Sequence, residues 1–196
     1  MIANKNILIM INKDILEKIK ERAAKIHADV NQTYDGNPYS VHLNKVAEYA
    51  MKFSDKVLAK DDDIYPLMFG AYFHDSIEDA RLTYNDVHKI ALEYMNEDQA
   101  TIATEIVYAL TNEKGRNRAE RANDKYYEGI RNTPYASYVK LCDRMANMSY
   151  SCSTKSRMFK VYLKEFIHFV ESINPTIKND SRFLLPDEMF LKYDFE

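Results

Sequence analysis

The stretch His74-Asp75-Ser76-Ile77-Glu78-Asp79 places an imidazole beside a carboxylate, with two more carboxylates one turn later. On a helix, His74 and Glu78 are four apart, as are Asp75 and Asp79, so all can address one cavity. Upstream, Ile64, Leu67 and Ala71 mark an apolar stripe that leads onto His74 and Asp75. These polar groups therefore share the buried face. A buried carboxylate is costly unless a cation or hydrogen bonds compensate it. The same pattern recurs twice. His42 lies four residues before Val46, and Asp143 four after Val139, with Asn147 a turn later. Each taken alone reads equally as a hydrogen-bonded core residue. Together, two His and two Asp in matching inward phase predict a mixed nitrogen and oxygen site. Such a site suits Mn²⁺, Mg²⁺ or Fe²⁺, with open positions for water or phosphate.

Three helices must hold these side chains, and the rest of the chain predicts more. Asn12 caps a first helix with Ile15, Ile19, Ala23 and Ile26 inward. Asn31 to Pro38 reads as a polar loop. A second helix carries Val46, Ala50, Phe53 and Val57 on one face. Asp61, Asp62 and Asp63 before Pro66 favour the start of a third, which runs toward His74. Thr83 with Asp86, and Asn96 with Gln99, have capping-box spacing and open the fourth and fifth. A charged sixth spans about 116–131, a seventh runs from Pro134 to about Ser151, and an eighth from about Thr154 to Ile173. The expectation is one all-α domain over 1–196, a bundle of about eight helices with its core at about 12–173. The tail, about 174–196, carries Phe183, Leu184, Leu185, Met189, Phe190, Leu191 and Phe195 and is expected to dock on that core.

Composition excludes other classes. With 46% hydrophobic and 29% charged residues, 196 residues suffice for a real core. Only 4 Gly and 5 Pro argue against an all-β fold. No apolar run approaches the roughly 18–20 residues of a membrane span. The start lacks a basic leader and cleavage site, so no signal peptide is expected. A net charge of -3 disfavours a nucleic-acid partner. Cys142 and Cys152 are ten apart on a predicted helix, roughly 15 Å, against the roughly 7 Å a disulfide allows. Free thiols in a reducing compartment, the cytoplasm, are expected.

Three local motifs carry a family likeness. Gly36-Asn37-Pro38-Tyr39-Ser40-Val41-His42 resembles Gly-x-Pro-Tyr-x-x-His. His74 to Asp79 resembles His-Asp-x-x-Glu-Asp. Val139 to Met148 resembles Val-Lys-Leu-Ala-Asp-Arg-Leu-His-Asn-Met. In this order they resemble the HD-domain metal-dependent phosphohydrolases, and among these the RelA/SpoT hydrolase domains and small alarmone hydrolases, over about residues 15–170. The resemblance implies that His42, His74, Asp75 and Asp143 ligate one metal, usually Mn²⁺, with Mg²⁺, Fe²⁺ and Zn²⁺ as alternatives. It implies Glu78 and Asp79 as the catalytic pair and Asn147 as a contact to the substrate sugar. The implied reaction is hydrolysis of a phosphate or pyrophosphate ester, as in removal of 3′-pyrophosphate from ppGpp.

This chain departs from the pattern at Thr33-Tyr34-Asp35, where the alarmone enzymes carry an Arg-Lys pair that packs on guanine. Ser149-Tyr150 stands for their Arg-Thr, and Ala146 for His. Tyr34 is therefore the candidate for stacking on a base, and Tyr150 a further substrate-binding candidate. For phosphates, Lys114, Arg116, Arg118, Arg121 and Lys125 cluster near Gly115, with Arg118, Arg121 and Lys125 in helical spacing as one basic stripe. The bland alternative is a solvated face paired with Glu113, Glu120 and Asp124. Lys45 and Arg144, beside His42 and Asp143, are further candidates. A different nucleotide or phosphorylated metabolite, or a nucleotide-binding regulatory module, remain open readings.

Overall fold

Periodic apolar faces with few breakers between them produce helices wherever the chain is described. The computed structural model describes residues 11–112 and 116–190, with the backbone alone at 118 and 119. The first helix is α1 (Lys13–Asp29), followed by strands β1 (Thr33–Tyr34) and β2 (Asn37–Pro38). Then come α2 (Ser40–Lys52), α3 (Ile64–Phe73), α4 (Tyr84–Ala91) and α5 (Glu97–Leu110). The remainder is α6 (Arg118–Arg121), α7 (Asp124–Asn132), α8 (Ala136–Ser153) and α9 (Met158–Ile173). Single 3₁₀ turns at Asp61–Asp63, Ser181–Phe183 and Asp187–Met189 punctuate it. None of the described helices is long and apolar enough to cross a membrane.

The caps behave as their side chains dictate. Asn12 accepts from the Asp14 N–H, and reciprocal capping boxes form at Thr83/Asp86 and Asn96/Gln99. Val46, Ala50, Phe53 and Val57 are all buried. α2 packs on α8 and α3, α3 on α5, and α9 on α8. Gly70 lies where α3 meets α5. A Cβ there would lie 2.6 Å from Ile106 Cγ2, so only glycine lets α3 and α5 meet as they do. Buried side chains form two apolar clusters, and both α2 and α3 contribute to each. Phe183 and Met189 from the tail are buried too, and the Tyr135 N–H donates to the Arg182 carbonyl at 2.7 Å. Leu191, Phe195 and the N-terminal residues 1–10 lie outside the described residues.

Four expectations are corrected. The stretch Asn31–Pro38 contains a hairpin, registered Thr33 to Pro38 and Tyr34 to Asn37. Asp35 and Gly36 both take positive φ, the conformation that a two-residue turn matched to strand twist requires. The charged stretch 116–131 is two helices, because Asn123 caps the second by accepting from the Tyr126 N–H at 3.0 Å. Its own Nδ2 donates to the Glu120 carbonyl at 3.1 Å, tying off the first. Helix α3 ends at Phe73, before His74. Turns carry 74–80, closed by Arg81 at positive φ and a bond from the Leu82 N–H to the Ser76 carbonyl, as in a helix C-terminal cap. Finally, α8 begins at Ala136, after a left-handed Tyr135, and α9 at Met158.

Candidate metal centre

Helix α2, the turn after α3, and α8 bring four polar side chains to one point. His42 Nε2 and His74 Nε2 are 3.3 Å apart. Asp75 Oδ2 lies 2.8 Å from His74 Nε2 and 3.7 Å from His42 Nε2. One ligand atom from each of these three residues falls within 4.8 Å of the other two. Asp143 Oδ1 completes the set, 3.3 Å from His42 Nε2 and 3.9 Å from His74 Nε2. Ligands about 2.1 Å from one ion at octahedral angles stand about 3 Å apart, so these spacings fit a single divalent ion.

The surroundings aim the donors. His74 Nδ1 meets the Ala71 carbonyl at 2.9 Å, which turns the Nε2 lone pair inward, as metal-binding imidazoles require. The Tyr39 hydroxyl donates to Asp75 Oδ2 at 2.6 Å. Asn147 Nδ2 donates to Asp143 Oδ1 at 2.6 Å and to the Asp143 carbonyl at 3.0 Å. Both imidazoles are buried, so two nitrogens facing two carboxylates demand a positive charge between them. Without an ion, a proton fills that role. Burial opposes charge on His74, but the Asp75 carboxylate outweighs it and lifts the imidazole to about 9. Burial likewise opposes charge on Asp75, yet His74 holds its carboxyl below the usual range. The donor set therefore fits a divalent cation.

Glu78 and Asp79 have separate partners, and of the two Glu78 lines the cavity of about 250 Å³ beside Asp143. Asp79 accepts from Gln32 Nε2 at 3.1 Å. Burial and the Asp75 charge raise it to about 6, so it exchanges a proton near neutral pH. Glu78 accepts from Asn112 Nδ2 at 2.8 Å and lies 3.7 Å from Arg121.

The other candidates separate into groups. The cavity beside Asp143 is lined by Glu78, Arg121, Asp143, Arg144 and Asn147. Arg144, however, is buried, 3.1 Å from Glu165 and 4.2 Å from the Phe169 ring centroid, so it packs α9 onto α8. Lys125 lines a different cavity, with Glu105 and Tyr108, because the break at Asn123 dissolves the expected stripe. The Arg118 side chain and Lys114 lie outside the described residues. A second cleft, about 280 Å³, is lined by Tyr34, His42, Lys45 and Tyr150. There the Tyr34 ring stacks on His42 at 4.9 Å, and its hydroxyl donates to Asn147 Oδ1 at 2.9 Å. Tyr150 lies edge-on to Tyr34 and donates to Asp35 Oδ2 at 3.1 Å, tying the hairpin to α8. Lys45 pairs with Glu48 at 3.0 Å.

Sequence reasoning passed over Tyr39, Gln32, Asn112 and Lys140, and considered His27, just before the polar loop, only as a neighbour of the pocket mouth, with no role. Tyr39 sits inside a quoted motif, and Lys140 lies one helical turn before Asp143, so spacing alone flags both. Lys140 Nζ donates to Asp143 Oδ2 at 3.1 Å. His27 is fully buried, stacks on Tyr39 at 4.5 Å, and neither ring nitrogen has a protein partner.

No family model and no curated protein sequence matches the chain. A solved structure does, described as a metazoan ortholog of SpoT that hydrolyses ppGpp and plays a role in starvation responses. The TM-score is 0.56 at 18% identity, over 90% of this chain and 94% of that one. The helical arrangement is thus the HD-domain fold, and the likeness is one of fold.

Proposed function

We propose that this protein is a metal-dependent phosphohydrolase acting on a phosphate or pyrophosphate ester of a nucleotide. The observation that carries the reading is the convergence of His42, His74 and Asp75 within 4.8 Å, with Asp143 adjoining. These four would hold one divalent ion, for which Mn²⁺ is our choice. When bound, such an ion lowers the pKa of water toward neutrality and polarises a phosphoryl oxygen. The chain's own residues do the rest. Asp79, poised at about 6, accepts or returns a proton. Glu78, held by Asn112 and Arg121, orients the attacking water. Tyr39 and Asn147 fix Asp75 and Asp143 in their ligating orientations.

The fold likeness to a ppGpp hydrolase favours ppGpp and a 3′-pyrophosphohydrolase. A second reading, another nucleotide or phosphorylated metabolite, is favoured by Tyr34 and Tyr150 at the cleft where the resembled enzymes carry basic residues. Metal analysis and a phosphate-release screen test both. The unaltered protein is expected to take up one transition-metal ion. Asp75→Ala is expected to weaken uptake by more than the roughly 10–100-fold that changes behind a ligand cause. No metal uptake, or uptake unchanged in the variant, would end the enzyme reading. With Mn²⁺ present, ppGpp, pppGpp, NADPH, deoxynucleoside triphosphates and mononucleotides are compared. Turnover of an ester other than ppGpp selects the second reading. Tight nucleotide binding without turnover selects a regulatory module.

A further inference from the structure

The β1–β2 hairpin has two residues in each strand, too few to stand alone in water. Helix α8 holds it from outside. The Tyr150 hydroxyl donates to Asp35 Oδ2 at 3.1 Å, and Asn37 Nδ2 donates to the same hydroxyl at 3.3 Å. With the turn tied down, the half-buried Tyr34 sits against the metal centre. Its ring stacks on His42 at 4.9 Å and 21°, and stands edge-on to Tyr39 at 6.3 Å and to Tyr150 at 4.7 Å. One side chain from the hairpin thus touches α2 and α8 together.

The Tyr34 hydroxyl reaches further than the ring. Asn147 Nδ2 carries both amide protons, and both go to Asp143, at 2.6 Å to Oδ1 and 3.0 Å to the main-chain carbonyl. The amide oxygen therefore faces away from Asp143 and needs a donor of its own. The Tyr34 hydroxyl supplies it at 2.9 Å, since a phenol keeps its proton up to about pH 10. A flipped amide would set its oxygen against the Asp143 carboxylate, two acceptors with no proton between them. The Asp143 oxygen that Asn147 holds is also the one that faces His42 Nε2 at 3.3 Å. Phenol, amide and carboxylate oxygen form one line of bonds that ends at the centre.

We propose that Tyr34 is a positioning residue of the metal centre, steadying Asp143 through Asn147 and His42 through its ring. The inference rests on the metal-dependent reading above and adds the hairpin to the machinery that aims the ligands. This role is separate from any contact that the cleft makes with a base.

The test is calorimetric titration of Mn²⁺ into the metal-free full chain, which reads ion affinity and needs no turnover. Tyr34→Phe keeps the stack on His42 and removes one oxygen. It is expected to weaken Mn²⁺ binding by about threefold to tenfold, the scale of one neutral hydrogen bond. Asn147→Ala is expected to weaken it by about tenfold or more. Added to Asn147→Ala, Tyr34→Phe is expected to change nothing further, because the amide through which it acts is gone. A phenol that merely braced the hairpin would weaken binding by the same factor in both backgrounds, and that additive result overturns the proposal. So does unchanged affinity in Tyr34→Phe alone. Tyr34→Leu removes the stack as well and is expected to bind Mn²⁺ more weakly than Tyr34→Phe; equal loss in the two overturns the part assigned to the ring. Tyr34→Phe changes one atom of a half-buried side chain, so the cycle stands even if Tyr34→Leu fails to fold. The unaltered chain is titrated first. If it takes up no Mn²⁺, the metal reading falls and this role with it. Uptake there with no effect of Tyr34→Phe removes Tyr34 alone and leaves the metal reading standing.

Discussion

His27 shows what a single side chain can contribute away from the chemistry. It is fully buried, and burial pushes its imidazole down to about 4, against the Asp75 charge that works to raise it. The unfolded chain takes up this proton near about 6.5. Between those values the unfolded state binds more protons, so stability falls as pH drops from about 6.5 to about 4. His27→Phe keeps a flat ring against Tyr39 and removes the titration. Urea unfolding of both proteins in chelator, from pH 7 to pH 4, is expected to show the unaltered protein losing the more stability. A difference curve flat across that window would rule this account out. The four metal-site residues are legible in the sequence because imidazole and carboxylate stand out against an apolar stripe. His27 is not, because histidine sits equally well on solvated faces, and only packing from other elements reveals that it does not.

At the level of elements, the α3–α5 contact leaves no room for a side chain at Gly70. Gly70→Ala would push a methyl group to 2.6 Å from Ile106 Cγ2. The helices must separate or Ile106 must leave its rotamer, an overpacking cost of about 1–3 kcal/mol. Because α3 delivers His74, the variant is also expected to bind metal less tightly. Chemical denaturation and a Mn²⁺ titration check the two effects; unchanged values for both would mean that α5 yields freely. The long helices and their caps could be read from periodicity and from Asn, Thr and Asp at the starts. The break at Asn123 could have been read from the same kind of cap, but the regular spacing of Arg118, Arg121 and Lys125 masked it. The hairpin carried its own Asp35-Gly36 turn signal. What lay beyond reach was its attachment, since Tyr34 and Asn147 are 113 residues apart.

For the molecule as a whole, the proposed ion would join α2, the segment after α3, and α8, pieces otherwise held by apolar contacts and a few hydrogen bonds such as those from the Tyr39 and Tyr138 hydroxyls. An ion that binds only the folded chain stabilises it by mass action, by about 2.7 kcal/mol at a hundredfold excess over its dissociation constant. Thermal unfolding is therefore expected to shift upward with added Mn²⁺ and to return with chelator, and Asp75→Ala is expected to abolish the shift. An equal shift in that variant would place the ion elsewhere. Topology alone could not have been fixed by the local motifs, because all three are short and the helices between them set the distances. Their order along the chain nevertheless pointed to the HD-domain fold that the structural comparison bears out.

The aromatic rings around the centre make the protein its own optical probe. It contains 15 Tyr and no Trp, so its near-ultraviolet absorbance and emission come chiefly from phenols. Tyr34 lies flat on His42, and the Tyr39 hydroxyl is bonded to Asp75. An ion entering this group changes the electric field at two chromophores at once, and a paramagnetic one drains their excited states. Occupancy can thus be followed in the unlabelled chain, in the same cuvette that records its unfolding.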